Sequence, residues 1–359
     1  MRLKVGNMKH RLLLTVFASL CAVVLAGCGC AQSTPGYYHN QGEAFHTYYS
    51  IKYRSDRAMD QEIAEALQKL NNVANPFEKG TLLYRLNNNE TTLTDSTFRL
   101  LFSRAMEVSR MTQGKYDITV GPLVNIWGFG FEPSPWKEGK VPQSAIDSIR
   151  QFVGFDKVTL RGDTLVKADP RIRLDMASIA KGYASDLVAD ALCQKGVSDY
   201  LVEIGGEVAF SGINPDGEAW RVGVSKPVFD TLGISNQMAC ILHLTGKGGM
   251  ATSGNYHNYK VRADGSRYAH TIDPTAGYPI ESDVLSATII APNCALADAL
   301  ATASMVLGSS EALRLCEQQQ GVECLLLVSD RQEPEGFRMV KTSGMDAYIK
   351  EVEANNDTK

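Results

Sequence analysis

A chain of 359 residues with 44% hydrophobic and 21% charged content can bury a large core. Its net charge of −4, with no basic block beyond the N-terminus, argues against nucleic acid as a partner. Its eight cysteines show no C-x-x-C pair and no histidine at zinc spacing, which argues against a zinc site.

Lys9, His10 and Arg11 precede "LLLTVFASLCAVVLAGC", a charged region, a short apolar run and a small-residue cleavage site. Leu25-Ala26-Gly27-Cys28 resembles the bacterial lipobox, so residues 1–27 are expected to be a signal peptide and Cys28 to carry lipid. Residues 28–43, polar with Gly and Pro, are expected to be a tether. The protein is therefore expected to be exported and held to a membrane through Cys28, facing the periplasm or the cell exterior. The cysteines that fall in apolar patterns suit small buried hydrophobes.

"FHTYYSIKY" predicts a first strand, and "DQEIAEALQKLNNVA" a helix with Ile63, Leu67 and Leu70 on one face. A second helix over "DSTFRLLFSRAMEVSRMTQG" starts at an Asp95 or Ser96 cap and ends at Gly114. "KYDITV" predicts a strand, "QSAIDSIRQFV" a short helix, and "DKVTLRGDTLVKA" a hairpin. A helix capped by Ser178 follows "LDMASIAKGYASD" and ends at Gly196. Strands are expected over "YLVEIGGEVAFSG", "WRVGVSKP", "ACILHLT" and "LSATIIAP", with a hairpin at Asp264-Gly265. Asn293 caps a helix from Cys294 to Leu307, and a further helix (310–320) and the strand "ECLLLVSD" lead to a polar tail at 341–359. The pattern predicts an α+β fold in a single large mixed domain over residues 44–340.

The helix "CALADALATASMVLG" is apolar nearly all round, yet it carries Asp298 and, one turn on, Thr302. A buried carboxylate must be neutralised, paired or bound to a cation. Asp beside Thr supplies oxygen ligands of the kind Mg²⁺ takes, while local pairing within the helix explains the two residues equally well. The unpaired N–H groups at the start of the Ser178 helix, with Lys181, form an anion site suited to phosphate, and Asp175 lies just outside it. Tyr116 beside Asp117, with the glycines and aromatics of "GPLVNIWGFG", suits a planar ring, while Trp127 and Phe129 read more readily as core and the glycines as turns. His270 and Asp273 run into a turn, where a histidine can serve as a general base near neutral pH, although a lone histidine is more often structural.

"GKYDITVGPLVNIWGFG", "LDMASIAKGYASD", "YLVEIGGEV", "ATSGNYHNY", "HTIDPTAGYPI" and "ADALATASMVLG", in that order, resemble the ApbE family of FAD:protein FMN transferases. The resemblance covers residues 44–340 and implies a T-fold-related domain, Mg²⁺ dependence and FAD as substrate. By position, Phe45, Phe77, Lys115, Tyr116, Asp117, Asp175, Lys181 and Ile272 fall where the family contacts FAD. The backbone of Ser178, with Asp298 and Thr302, falls where the family holds its metal, and His270 where it places a base; Asp273 joins His270 as the second catalytic candidate. Ala301, Ala177-Ser178 and His257 depart from the family pattern, at positions where a second acid, glycines and an arginine are frequent.

The implied reaction is transfer of FMN from FAD to a Ser or Thr hydroxyl of an exported or membrane acceptor, a redox-complex subunit, with release of AMP. The alternatives are an FAD pyrophosphatase that yields FMN and AMP, and a non-enzymatic FAD-binding lipoprotein.

Overall fold

The computed structural model describes residues 35–130, 132–137, 139–227, 237–255, 259–262 and 264–352. The signal segment, Cys28, the first part of the tether (28–34) and His257 lie outside these residues. The described residues divide into two compact units, one made of those within 37–54 and 59–352, the other of residues 35–36 and 55–58. Helices and strands mix along the chain, giving the expected α+β class.

Among the described residues the main sheet runs β1 (Gly36–Ala44), β2 (Thr47–Ser55), β5 (Tyr200–Ile204), β6 (Glu207–Ser211), β9 (Lys247–Gly254), β12 (Val284–Ala291), β13 (Glu323–Ser329), β14 (Phe337–Lys341). Its pairs from β2 to β14 are antiparallel. Both faces of its centre are covered, which is why strands such as "CLLLV" read as continuous apolar runs. Ala209, Ala251, Ile289 and Leu326 face a core shared with the helices. Their neighbours Val208, Phe210, Met250, Ile290 and Leu325 face a second core with β7 (Trp220–Ser225) and β8 (Met238–Leu244). The period of two along each strand divides the two cores. Two hairpins, β3 (Val158–Arg161) with β4 (Thr164–Lys167) and β10 (Tyr259–Val261) with β11 (Arg267–Ala269), match the turn signals at Gly162 and Gly265.

The helices are α1 (Asp60–Ala74), α2 (Leu82–Asn87), α3 (Ser96–Met111), α4 (Gly121–Ile126), α5 (Gln143–Arg150), α6 (Ala177–Gln194), α7 (Cys294–Leu307) and α8 (Ser309–Glu317). Asp95 caps α3 through Phe98 N–H at 2.7 Å, and Asn293 caps α7 through Leu296 N–H at 3.0 Å. A buried hinge of charge ties α7 to α6: Asp186 accepts from Cys294 N–H at 2.8 Å and Ala295 N–H at 3.1 Å, and pairs with Arg104 at 2.9 Å. These N-terminal donors of α7 would otherwise be buried and unsatisfied.

Several expectations are corrected. "KYDITV" is not a strand: Asp117 turns its carboxylate back onto Thr119 N–H and Oγ1, both at 2.7 Å, which makes a tight loop. "YLVEIGGEVAFSG" is two strands, because Gly205 (φ +64°) and Gly206 (φ +98°) form a two-residue hairpin turn. Residues 36–43, expected within the tether, form β1 with Ala44, and the expected tail contributes β15 (Ile349–Val352), paired with β8. Ser178 does not cap α6; Asp175 takes the Ala177 N–H at 2.9 Å, and Ser178 lies inside the first turn. Among the described residues no helix is long and apolar enough to cross a membrane.

The closest approach of α6 and α7 falls at Gly182, where an added Cβ would stand 2.4 Å from the Cys294 carbonyl oxygen and 2.8 Å from Asp298 Cβ. Backbone cannot yield as a flexible side chain does. Gly182→Ala is therefore expected to lose about 2 kcal/mol of stability to overpacking, despite alanine's better helix propensity. Urea denaturation checks this, and an unchanged midpoint would mean that the crossing has slack.

Candidate active site

Three charged side chains meet where α6, α7 and the β5–β6 turn converge. Lys181 extends from the second turn of α6 and forms an ion pair with Glu207 Oε1. Glu207, the first residue after the Gly205-Gly206 turn, is 4% exposed, and its Oε2 is buried without a hydrogen-bond partner. Its backbone carbonyl accepts from Ser185 Oγ at 3.0 Å, which fixes the strand end against α6. Asp298 is 3% exposed, and its Oδ2 accepts from Gly182 N–H at 2.9 Å. In helical geometry that N–H belongs to the carbonyl of Ser178, so Asp298 competes with Ser178 for its donor. Thr302, one turn along α7, stands 3.4 Å from Ser253 Oγ on β9.

One cation among two buried carboxylates leaves an excess of negative charge. Burial, and then the Asp298 charge, push Glu207 up to about 8, while Lys181 pulls it back. Burial raises Asp298 too, against the Lys181 charge and the Gly182 hydrogen bond. For Lys181 burial acts downward, but Asp298 and Glu207 outweigh it and raise the ammonium.

The neighbouring wall is the loop 115–118 laid against residues 174–178. Asp175 N–H donates to Ile118 O at 2.6 Å, and Ser178 Oγ donates to Tyr116 OH at 3.1 Å. Tyr116 is buried, and burial carries its hydroxyl well above the usual range. Asp175 is likewise raised by burial. Asp117 spends both carboxylate oxygens inside the protein, on Thr119 and on Phe155 N–H at 2.7 Å. Its side chain builds the loop.

Lys115 and Asp273 form an ion pair at 2.6 Å, with Thr275 Oγ1 2.8 Å from the same ammonium. Burial alone would raise Asp273, but hydrogen bonds from Lys115 and Thr275 hold it below the usual carboxylate range. His270 sits with its ring 6.3 Å from that of Phe129. Ile272 is buried in a satellite core with Trp127, whose indole N–H donates to Gly277 O at 2.8 Å.

Phe45 occupies the β1–β2 turn with a left-handed φ of +53°, followed by His46 at +60°. Two non-glycine residues in that region mark a strained tip. The tip meets the β5–β6 turn: Gly205 N–H donates to Tyr48 O at 2.9 Å, and a Cβ on Gly205 would touch Thr47 and Lys181. Phe77 lies in the loop after α1, 44% exposed.

The structure thus gathers Lys181 with Asp298 and Tyr116 with Ser178 and Asp175, and pairs Lys115 with Asp273. It adds Glu207, which sequence reasoning missed although a charge opening the apolar run "EVAF" was a signal. Among the described residues no group of three or more His, Cys, Asp or Glu is gathered to hold a metal. Mg²⁺ does not need such a cage, since it keeps several waters and takes one or two carboxylates plus phosphate oxygens. The excess carboxylate charge, with only one Asp298 oxygen taken by a backbone N–H, fits a cation at Asp298 and Thr302.

The ApbE family profile matches residues 45–326. An FAD:protein FMN transferase of Vibrio cholerae serotype O1 is 34% identical over 346 residues, covering 94% of this chain and 98% of that protein. One of Haemophilus influenzae is 34% identical over 335 residues, covering 89% and 94%. The solved structure of the flavin transferase ApbE from Vibrio cholerae superposes with a TM-score of 0.74 at 32% identity, covering 88% of this chain and 99% of that one.

A carboxyl raised on folding binds its proton more tightly in the native state. Glu207 therefore contributes stability that is full below its ordinary value of 4.5 and lost as pH rises through about 8. In metal-free buffer the melting temperature is expected to fall between about pH 5 and pH 8.5, and to fall less in Glu207→Gln. Parallel profiles for the two proteins would show that Glu207 does not titrate in this range.

Proposed function

The chain belongs to the ApbE family and is an FAD:protein FMN transferase, and we propose that it moves FMN from FAD to a Ser or Thr hydroxyl, releasing AMP. The observation that supports this chemistry is the cluster of half-buried Lys181 with the buried Glu207 and Asp298, a fixed cation beside excess carboxylate. Transfer at phosphorus asks a protein mainly for positioning and charge neutralisation.

Asp298, Thr302 and the Ser178 carbonyl would hold Mg²⁺, which supplies Lewis-acid neutralisation of the FAD diphosphate. Lys181 binds the same diphosphate from α6. His270 takes the proton from the acceptor hydroxyl, whose oxygen attacks the phosphorus on the riboflavin side. The bond to the bridging oxygen breaks, and AMP leaves with that oxygen. Asp273 holds Lys115 and, through it, the loop that carries Tyr116 and Asp117. The acceptor is an exported or membrane protein, a redox-complex subunit by family analogy.

Incubation with Mg²⁺, FAD and an acceptor is expected to yield a fluorescent flavin band on a denaturing gel and AMP in equal amount. AMP without acceptor would mark an FAD pyrophosphatase instead, and unchanged bound FAD a binding protein. Asp298→Ala is expected to slow transfer by about 100-fold or more, the scale of losing one preorganised electrostatic group. Full activity in that variant would sink the metal assignment.

The lipobox-like Leu25 to Cys28 supports export and lipid anchoring. Cys28→Ser is expected to move the protein from the membrane fraction to the soluble fraction of the compartment it is exported to. Retention on the membrane would refute the anchor.

A further inference from the structure

Lys181 has two carboxylates to choose from, and it pairs with the one that the family's metal does not use. Among the described residues its ion-pair partner is Glu207. Asp298 is nonetheless within electrostatic reach of the ammonium: its Cβ lies against Gly182, the next residue of α6, and its Oδ2 takes the Gly182 N–H. A lysine whose stem is this close to a buried carboxylate would collapse onto it if nothing else held the ammonium.

Glu207 is built to prevent that. The Gly205-Gly206 turn sets the start of β6, and Ser185 Oγ fastens the Glu207 carbonyl to α6 at 3.0 Å. Gly205 has no Cβ where one would stand 3.2 Å from Lys181 Cδ, so the lysine stem runs over the turn to reach Glu207. The carboxylate is buried and spends only one oxygen on the ammonium.

We propose that Glu207 is a positioning residue that draws the Lys181 ammonium away from Asp298 and so keeps Asp298 open to a divalent cation. This rests on the proposed function only in placing that cation at Asp298. Glu207 touches neither metal nor flavin in this role. Its effect passes through Lys181, which makes the two residues energetically coupled.

The test is a double-mutant cycle read by Mn²⁺ binding to the full chain, without FAD, from the electron paramagnetic resonance of free Mn²⁺ at about pH 8.5, above the Glu207 range. Glu207→Gln is expected to weaken Mn²⁺ binding by about tenfold, the scale of a partly buried charge pair. Adding Lys181→Met to Glu207→Gln is expected to restore the affinity, by a factor several times larger than Lys181→Met gives in the wild-type background. Equal gains in the two backgrounds would mean that Glu207 acts only as a charge, and no restoration would mean that it is itself a metal ligand. Either result overturns the proposal. Glu207→Asp keeps the charge but withdraws the carboxylate by one methylene. It is expected to weaken Mn²⁺ binding in the same direction, and wild-type affinity there would equally count against positioning. Asp298→Ala separates the two layers: if it leaves Mn²⁺ binding intact, the metal assignment of the proposed function fails.

Discussion

The site depends on how closely two helices can approach. At Gly182 the backbone of α6 lies against that of α7, near enough that a single methyl group would collide with the Cys294 carbonyl. That contact brings Asp298 onto the Gly182 N–H and sets it beside Lys181. A larger residue would push α7 outward and take the carboxylate with it. Asp186 reinforces the crossing from the other side by satisfying the first donors of α7. Helix packing and charge placement are therefore one constraint: the geometry that buries α7 is the geometry that assembles the polar cluster.

That cluster is costly on its own. Two carboxylates in a largely dry site with a single ammonium, and one carboxylate oxygen without a partner, is an arrangement that folding energetics disfavour. Local rules are broken where function demands it, and the surrounding core supplies the offset. Here the offset is large, because the central strands are covered on both faces and α7 is buried nearly throughout. A bound cation and a diphosphate of opposite charge would each find a complement already in place, Asp298 for one and Lys181 for the other.

Much of this was legible in the sequence. The Asn293 cap, the all-round apolar surface and Gly308 give α7 its bounds, and Asp298 stands out there because a carboxylate has no business in such a helix. The less legible parts have physical causes. β9 reads "KGGMATSG", a poor strand by propensity, yet a Cβ on Gly249 would stand 2.1 Å from Cys294 N, so tertiary packing against α7 overrides propensity. The internal partners of Asp117, Thr119 and Phe155, could not be assigned from spacing alone, so its part in building the loop was not legible. Ser178 looked like a cap, but Asp175 reached the free N–H first. Glu207 was hidden because "YLVEIGGEVAFSG" read as one strand, and only the turn at Gly205-Gly206 and the pairing of β5 with β6 aim it at α6.

The division of labour among the acidic residues follows from their partners. Asp186 caps α7, Asp117 builds a loop, and Asp273 holds Lys115, so each has its charge committed within the protein. Asp298 and Glu207 differ. Asp298 has one oxygen on a backbone N–H, and Glu207 one oxygen on a lysine, which leaves each with acceptor capacity to spare. Burial makes spare capacity expensive in a resting protein and, at Asp298, valuable toward an incoming cation, because both effects grow as water is excluded. The residues that a sequence marks as acidic are thus sorted by what they already hold: at the crossing of α6 and α7, Glu207 holds the Lys181 ammonium and Asp298 keeps an oxygen free.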